Sequence, residues 1–354
     1  MPRENKSEKL EKFNDLKASS SVNIDQRKPI IAVTMATGLQ GRGVVRELSK
    51  TNKFKIRAMT RNPGSEAATV LSKLPNVEIF KGDLLDKKSL EACFDEAYGI
   101  FGNTTPTQGF RPLVRKYELS QGYVLFDVIE NIKAQGFLKH LIFSSICKAK
   151  DPLKNTPAPS HFLSKWEMEE YLIMKNLGDI TTILRPASYF ENFNGDLPGL
   201  KITNTSFPGV VKPNYKWQTI AAGDVGKWAT AAFNNPKRFI QQSINLAAEE
   251  MTGSQMADLL KEVNGNKSKT VSYKMAPRIF MKLFVHDIGV MADWIERTGY
   301  GANMNKLKLI QKELDIIPTS LKDWLKSKLE IENKTSNSLS RQWKRSQWRL
   351  QFDK

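Results

Sequence analysis

Residues 29–43 read Pro-Ile-Ile-Ala-Val-Thr-Met-Ala-Thr-Gly-Leu-Gln-Gly-Arg-Gly, an apolar run that breaks into a glycine-rich turn and then into Val44, Val45 and Leu48 at helical spacing. The order strand, glycine turn, amphipathic helix is the opening of a βαβ unit. A dinucleotide site needs glycine at such a turn, because the backbone has to bend sharply and come close to a pyrophosphate while the helix N-terminus supplies N–H donors and positive dipole. Gly38 and Gly41 meet that need. The register GxxGxxG would also put glycine at position 35, and there the chain has Met35, whose Cβ narrows the first turn of the loop. A turn of purely structural purpose is the competing reading, and the strand before it and the helix after it favour nucleotide binding.

Outward from this stretch the same rhythm repeats. Short apolar runs at 30–34, 54–60, 77–80, 98–102, 138–145 and 180–184 alternate with longer amphipathic segments, among them a long helix expected over 112–135 and another through Trp166, Met168 and Tyr171. This alternation predicts an α/β protein with a Rossmann-type, doubly wound parallel sheet. Beyond Pro186 it decays into a stretch rich in Gly, Pro and Asn, which predicts excursions from about residue 193 into a smaller α/β second domain. The expected division is a disordered N-terminal extension over 1–28, the dinucleotide-type domain over 29–235, the smaller domain over 236–330 and a basic, disordered tail over 331–354 that carries Trp343 and Trp348.

Composition excludes several classes of function. The 354 residues contain two cysteines, Cys93 and Cys147, so neither a disulfide framework nor a thiolate zinc site is expected. Three scattered histidines, His140, His161 and His286, show no HxxxH or HExxH spacing, and no metal is expected. Net charge is +17, of which the two ends carry +2 and +4, and the rest is spread through the body without a basic run or recognition-helix pattern. Dispersed lysine of this kind reads as solubility rather than a nucleic-acid footprint. Interleaved Glu4, Glu8, Glu11 and Asp15 argue against a transit peptide, and no apolar run is long enough to span a bilayer. A soluble protein of the cytoplasm or nucleus is expected.

The second strand ends in Thr60-Arg61-Asn62. At this point an acidic residue would meet the ribose 2′-hydroxyl of NAD, whereas arginine meets the 2′-phosphate of NADP. Arg61 therefore predicts NADP(H), since a guanidinium fork matches phosphate oxygens; a solvated turn arginine is the bland alternative. Asp83, closing the third strand, is placed to contact an adenine edge. Cys147 lies near the presumed cleft, and nothing in the local sequence depresses its pKa, so an inert buried thiol is expected there and at Cys93.

Taken together, Ala36-Thr37-Gly38-Leu39-Gln40-Gly41, Thr60-Arg61-Asn62-Pro63, Gly82-Asp83-Leu84 and Leu184-Arg185-Pro186 with Tyr189-Phe190-Glu191-Asn192 resemble the NmrA-like proteins, atypical members of the short-chain dehydrogenase/reductase superfamily. The resemblance covers residues 29–330. It implies NADP held between the two domains, with cofactor contacts from Thr37, Gly38, Leu39, Gln40, Gly41, Arg61, Asn62, Asp83, Leu84, Thr104, Lys165, Tyr189, Phe190 and Asn192. Some members sense the NADP/NADPH ratio and bind regulatory protein partners, while relatives transfer hydride to quinones and related compounds.

Two departures bear on function. Met35 replaces the family's first glycine. The second concerns the Tyr-x-x-x-Lys pair of the superfamily, in which tyrosine moves the proton and lysine lowers its pKa; here the spacing survives as His161-Phe162-Leu163-Ser164-Lys165. Histidine stands in place of tyrosine. Lys165 is expected to anchor the nicotinamide ribose, His161 is the candidate acid, and a histidine that merely lines the helix is the bland alternative. The resulting expectation is an NADP(H)-binding, redox-responsive regulator with little dehydrogenase turnover, set against an NADPH-dependent reductase using His161 or Lys165.

Overall fold

The computed structural model describes residues 28–105, 115–147, 158–195, 200–265, 270–284 and 286–336. Strand β1 (Ile30–Val33) shows why these apolar runs become strands: Ile31 and Val33 enter one core, Ala32 enters the other, and all three are fully buried. Burial on both faces is what a parallel sheet demands, hence an apolar run rather than an alternating one. There follow α1 (Leu39–Thr51), β2 (Lys55–Thr60), α2 (Glu66–Leu71), β3 (Val77–Lys81), α3 (Lys87–Phe94), β4 (Ala97–Gly102), α4 (Arg115–Ala134), β5 (His140–Ser144), α5 (Ser160–Met174) and β6 (Thr181–Pro186). Helix α1 covers one face through Val44, Val45 and Leu48, and α3, α4 and α5 cover the other through Phe94, Phe126, Ile129 and Met168. Because β1 pairs in parallel with both β2 and β4, the winding reverses at β1 and opens a crevice at the C-terminal ends of the strands.

The chain then forms β7 (Ser188–Tyr189), β8 (Ser206–Gly209), β9 (Trp217–Ile220), α6 (Asp224–Asn234), α7 (Pro236–Phe239) and β10 (Ser243–Leu246). Strand β10 pairs in parallel with β6 and completes a seven-stranded sheet in the order β10-β6-β5-β4-β1-β2-β3. Residues 243–246, expected in the smaller domain, thus belong to the large sheet. A run of four residues carries too little periodicity to say which sheet it joins. Helix α6 lies against α1, where a Cβ on Gly43 would sit 2.4 Å from the Gly223 carbonyl oxygen, so glycine sets how closely these helices approach.

The remaining elements are β11 (Glu249–Met251), α8 (Gly253–Val263), β12 (Ser272–Met275), α9 (Arg278–Phe284), α10 (His286–Thr298), α11 (Met304–Glu313) and α12 (Leu321–Ser336). A three-stranded sheet in the order β11-β9-β7 and a parallel pair β12-β8 form the smaller lobe. Phe193 packs on Phe207 and Trp217, with ring centroids 4.8 and 5.4 Å apart, and Phe162 of α5 meets Trp294 of α10 at 5.1 Å. One apolar core therefore runs through both lobes. Helix α12 continues to Ser336, past residue 331 where the disordered tail was expected, because Leu321, Trp324, Leu325 and Ile331 keep an apolar stripe buried. Trp343, Trp348 and the expected N-terminal extension up to residue 27 lie outside the described residues. No helix among the described residues is long and apolar enough to cross a membrane.

Candidate functional site

The crevice is built first by the loop between β1 and α1. Thr34 pins the end of β1 to the end of β4, its N–H donating to the Phe101 carbonyl at 3.0 Å and its hydroxyl accepting from the Asn103 N–H at 2.8 Å. Met35 then takes a left-handed conformation, φ +51°, which a Cβ disfavours by about 1 kcal/mol. This is how the chain keeps the turn without the family's first glycine. The Met35 carbonyl accepts from the Gly38 N–H at 2.9 Å, and a Cβ on Gly41 would lie 2.2 Å from that same carbonyl oxygen. Gly41 is therefore a steric requirement of the loop. Gly38 caps α1 without a side-chain bond, and the first turn has no acidic residue, so the helix presents its free N–H groups and positive end to the crevice.

Toward β2 and β3 the crevice widens into a cleft of about 170 Å³, where Met35, Thr37, Arg61, Asn62, Asp83 and Leu84 meet in the wall. Five of these are predicted cofactor residues. Arg61 is exposed and has no hydrogen-bond or ion-pair partner among the described residues, leaving its guanidinium open to an anion. The Asp83 carboxylate accepts from the Leu85 N–H at 2.9 Å, and the Thr37 and Thr60 hydroxyls lie 3.1 Å apart. Thr105, Tyr117 and Gln121 also line this wall, with Gln121 bonded to both backbone groups of Thr105. Sequence reasoning missed these three. The i,i+4 spacing of Tyr117 and Gln121 would have put them on one helix face, but nothing told which face met the cleft.

Toward β5 the polar groups are already bonded to one another. Lys165 Nζ donates to Thr104 Oγ1 at 2.7 Å and to the Ser144 carbonyl at 3.2 Å, and lies 3.4 Å from the Glu118 carboxylate. An ammonium has three N–H groups, and all three are engaged inside the protein. Glu118, 1% exposed, also accepts from the Thr104 and Ser164 hydroxyls. Thr104, predicted as a cofactor contact, spends its hydroxyl on this network. Burial draws the Lys165 ammonium below its ordinary pKa, and Glu118 opposes that shift. Glu118 itself was not anticipated, because an acidic residue in a polar helical turn reads as solvated.

His161 stands at the N-terminal end of α5, edge-on to Phe162 at 4.6 Å. Its Nδ1 is shielded from solvent and has no hydrogen-bond partner among the described residues. Burial pulls its pKa below the ordinary histidine value, against the charges of Glu118 and Asp287. Gln40 extends from the loop to Tyr189, its Nε2 donating to the phenol oxygen at 2.6 Å, and accepts from the Ser144 hydroxyl at 2.6 Å. Leu39 is exposed beside it. Phe190, by contrast, is fully buried with its ring against Trp324 at 5.8 Å, so its side chain faces the core of the smaller lobe rather than the cleft. Asn192 donates to the Ser188 hydroxyl at 3.3 Å. Both thiols are buried, and burial pushes Cys93 up to about 12 and Cys147 upward as well. Among the described residues no group of three or more His, Cys, Asp and Glu side chains is placed to hold a metal ion.

A seven-stranded parallel sheet wound to both sides of β1, with a glycine loop at the switch point and a smaller lobe over the crevice, defines a Rossmann-type α/β fold. The chain belongs to the NmrA-like family, whose model matches residues 27–334. The NmrA-like oxidoreductase malD of Malbranchea aurantiaca is 27% identical over 273 residues, covering 71% of this chain and 77% of that protein. An NmrA-like family domain-containing protein of Dictyostelium discoideum is 26% identical over 309 residues, covering 84% and 96%. The match to the oxidoreductase notA' of Aspergillus versicolor is 34% identical but spans less than half of either chain, 47% and 45%. Among solved structures, NmrA, a negative transcriptional regulator, superposes with a TM-score of 0.70 at 20% identity over 88% of this chain and 99% of that one. An NADPH-dependent quinone oxidoreductase of Escherichia coli does so with a TM-score of 0.64 at 20% identity, over 83% and 98%.

Proposed function

We propose that the crevice binds NADP(H) and that the protein is a redox-state-responsive regulator with little or no dehydrogenase turnover. Three features of the chain suit the dinucleotide: the uncapped N-terminus of α1 for the pyrophosphate, Gly41 where a Cβ would strike backbone, and Arg61, unpaired among the described residues, for the 2′-phosphate. Solved complexes of the NmrA regulator with NADP and with NAD, sharing this fold at TM-scores of 0.67 and 0.66, support a dinucleotide in the crevice.

The regulator reading rests on the end of the crevice near β5. Reduction of a carbonyl by hydride needs a proton donor within hydrogen-bond reach of the developing alkoxide. Lys165 has its three N–H groups committed to Thr104, Ser144 and Glu118, and burial of His161 disfavours its charged, proton-donating form. Neither group is set to deliver a proton. A second reading, an NADPH-dependent reductase of a small carbonyl, quinone or related compound, draws on the relatives named oxidoreductases and on one observation: Tyr189 holds a phenol against the loop through Gln40. Calorimetric titration with NADP, NADPH and NAD tests the binding, and NADPH oxidation over a quinone and aldehyde panel separates the two readings. No binding of either NADP form would refute both. Turnover that disappears in Tyr189→Phe would replace the regulator with the reductase.

A further inference from the structure

Gln40 is the second residue of α1, and its two ends face different tasks. Its backbone N–H is one of the donors that a helix N-terminus leaves without an intrahelical partner, so it lies where an anion at the loop is received. Its side chain leaves the loop altogether. The amide bonds to Tyr189, 149 residues on, and to Ser144, 104 residues on, each at 2.6 Å. Ser144 ends β5 of the large sheet, whereas Tyr189 is half of β7 in the small one.

From Tyr189 the connection is backbone. Tyr189 is in register with Ile220 of β9, β9 pairs with β11, and the next residue, Phe190, is packed on Trp324 of α12. We propose that Gln40 is a positioning residue that couples dinucleotide occupancy of the loop to the smaller lobe, its side-chain amide acting as the tether between α1, β5 and β7. An anion drawn onto the Gln40 N–H stiffens the first turn of α1. The amide then holds Tyr189 more firmly through the bond already in place at 2.6 Å. The β11-β9-β7 sheet is steadied in turn, and a regulator would carry the state of its cofactor outward by that route. The inference rests on the NADP(H) reading of the crevice and deepens it.

Amide hydrogen exchange on the full chain, with and without NADPH at a concentration fixed by each variant's own titration, tests it. In the unaltered protein exchange slows in the loop and also in residues 188–193 and 217–220, by roughly fivefold in the smaller lobe, the factor one hydrogen bond commands. Tyr189→Phe, saturated with NADPH, keeps the slowing in the loop and loses it in the smaller lobe. Ser144→Ala, which cuts the other bond of the same amide, weakens the response and carries the comparison if Tyr189→Phe does not fold. Slowing confined to the loop in the unaltered protein, or a smaller-lobe response undiminished in the variants, overturns the tether while leaving the NADP(H) reading intact. A titration showing no NADPH uptake by the unaltered protein overturns both.

Discussion

The two ends of the crevice contain similar kinds of side chain in opposite conditions. At the β2–β3 end Arg61 is exposed and has no partner among the described residues, and the cleft beside it is open. At the β5 end Lys165, Glu118, Thr104, Ser164 and Ser144 satisfy one another out of water. A polar group set to take a ligand keeps donors in reserve and access to solvent, whereas one that is buried has to be bonded within the fold or be destabilising. The difference teaches that a motif residue in its proper place, such as Lys165, can have its capacity already committed to the protein.

The largest effect that could break this contrast lies in the buried network. Glu118→Ala strands the Lys165 ammonium and should lower unfolding free energy by about 3–5 kcal/mol in urea denaturation, whereas Glu118→Leu combined with Lys165→Met should recover most of the loss. A single variant as stable as the parent would show that this end is open after all. At the other end Arg61→Ala should weaken NADP(H) by about 10- to 100-fold and leave NAD(H) nearly unchanged, read by calorimetry. Equal affinities for the two cofactors in the unaltered protein would remove the role given to Arg61.

Apart from the two ends, Glu191 offers a test through pH. Burial raises its carboxyl to about 7, although its oxygen accepts from the Ala222 N–H at 3.0 Å. The folded value lies above the unfolded one, so the unfolded chain surrenders this proton first as pH rises. The stability that the protonated group contributes is whole below the unfolded value of about 4.3 and is lost as pH climbs through about 7. Glu191→Gln should therefore be more stable than the parent by about 3–4 kcal/mol at alkaline pH and indistinguishable from it in acid, measured as the pH dependence of Tm. A constant difference across that range would place the carboxyl in solvent.

The smallest effect belongs to Met35. Glycine there removes a strain of about 1 kcal/mol at φ +51° and adds roughly 0.4–1 kcal/mol of chain entropy to the unfolded state. Stability should hardly move, while NADPH binds a few-fold more tightly because the loop approaches the pyrophosphate without a side chain in the cleft wall. Weaker binding in a folded Met35→Gly protein would mean that the methionine is part of the site.

Much of the fold was legible without coordinates. Parallel strands buried on both faces must be apolar runs, and 30–34, 77–80 and 98–102 announced β1, β3 and β4 to within a residue or two. Where four residues made a strand, at β10, local pattern could not choose a sheet, and the placement came from pairing with β6. At the site, glycine at 41 was readable because the turn makes a local steric demand, and the position of Arg61 in the cleft wall because it directly follows β2. Glu118 beside Lys165, Gln40 beside Tyr189 and the burial of Phe190 against Trp324 were not.

By itself the sequence determined the class of fold, the glycine loop and the candidate phosphate partner, since periodicity and turn chemistry act between near neighbours. Only the tertiary structure decided which motif residues keep free donors. Whether a lysine or a histidine can serve a ligand depends on what reaches it from segments dozens of residues away, and that is settled by packing.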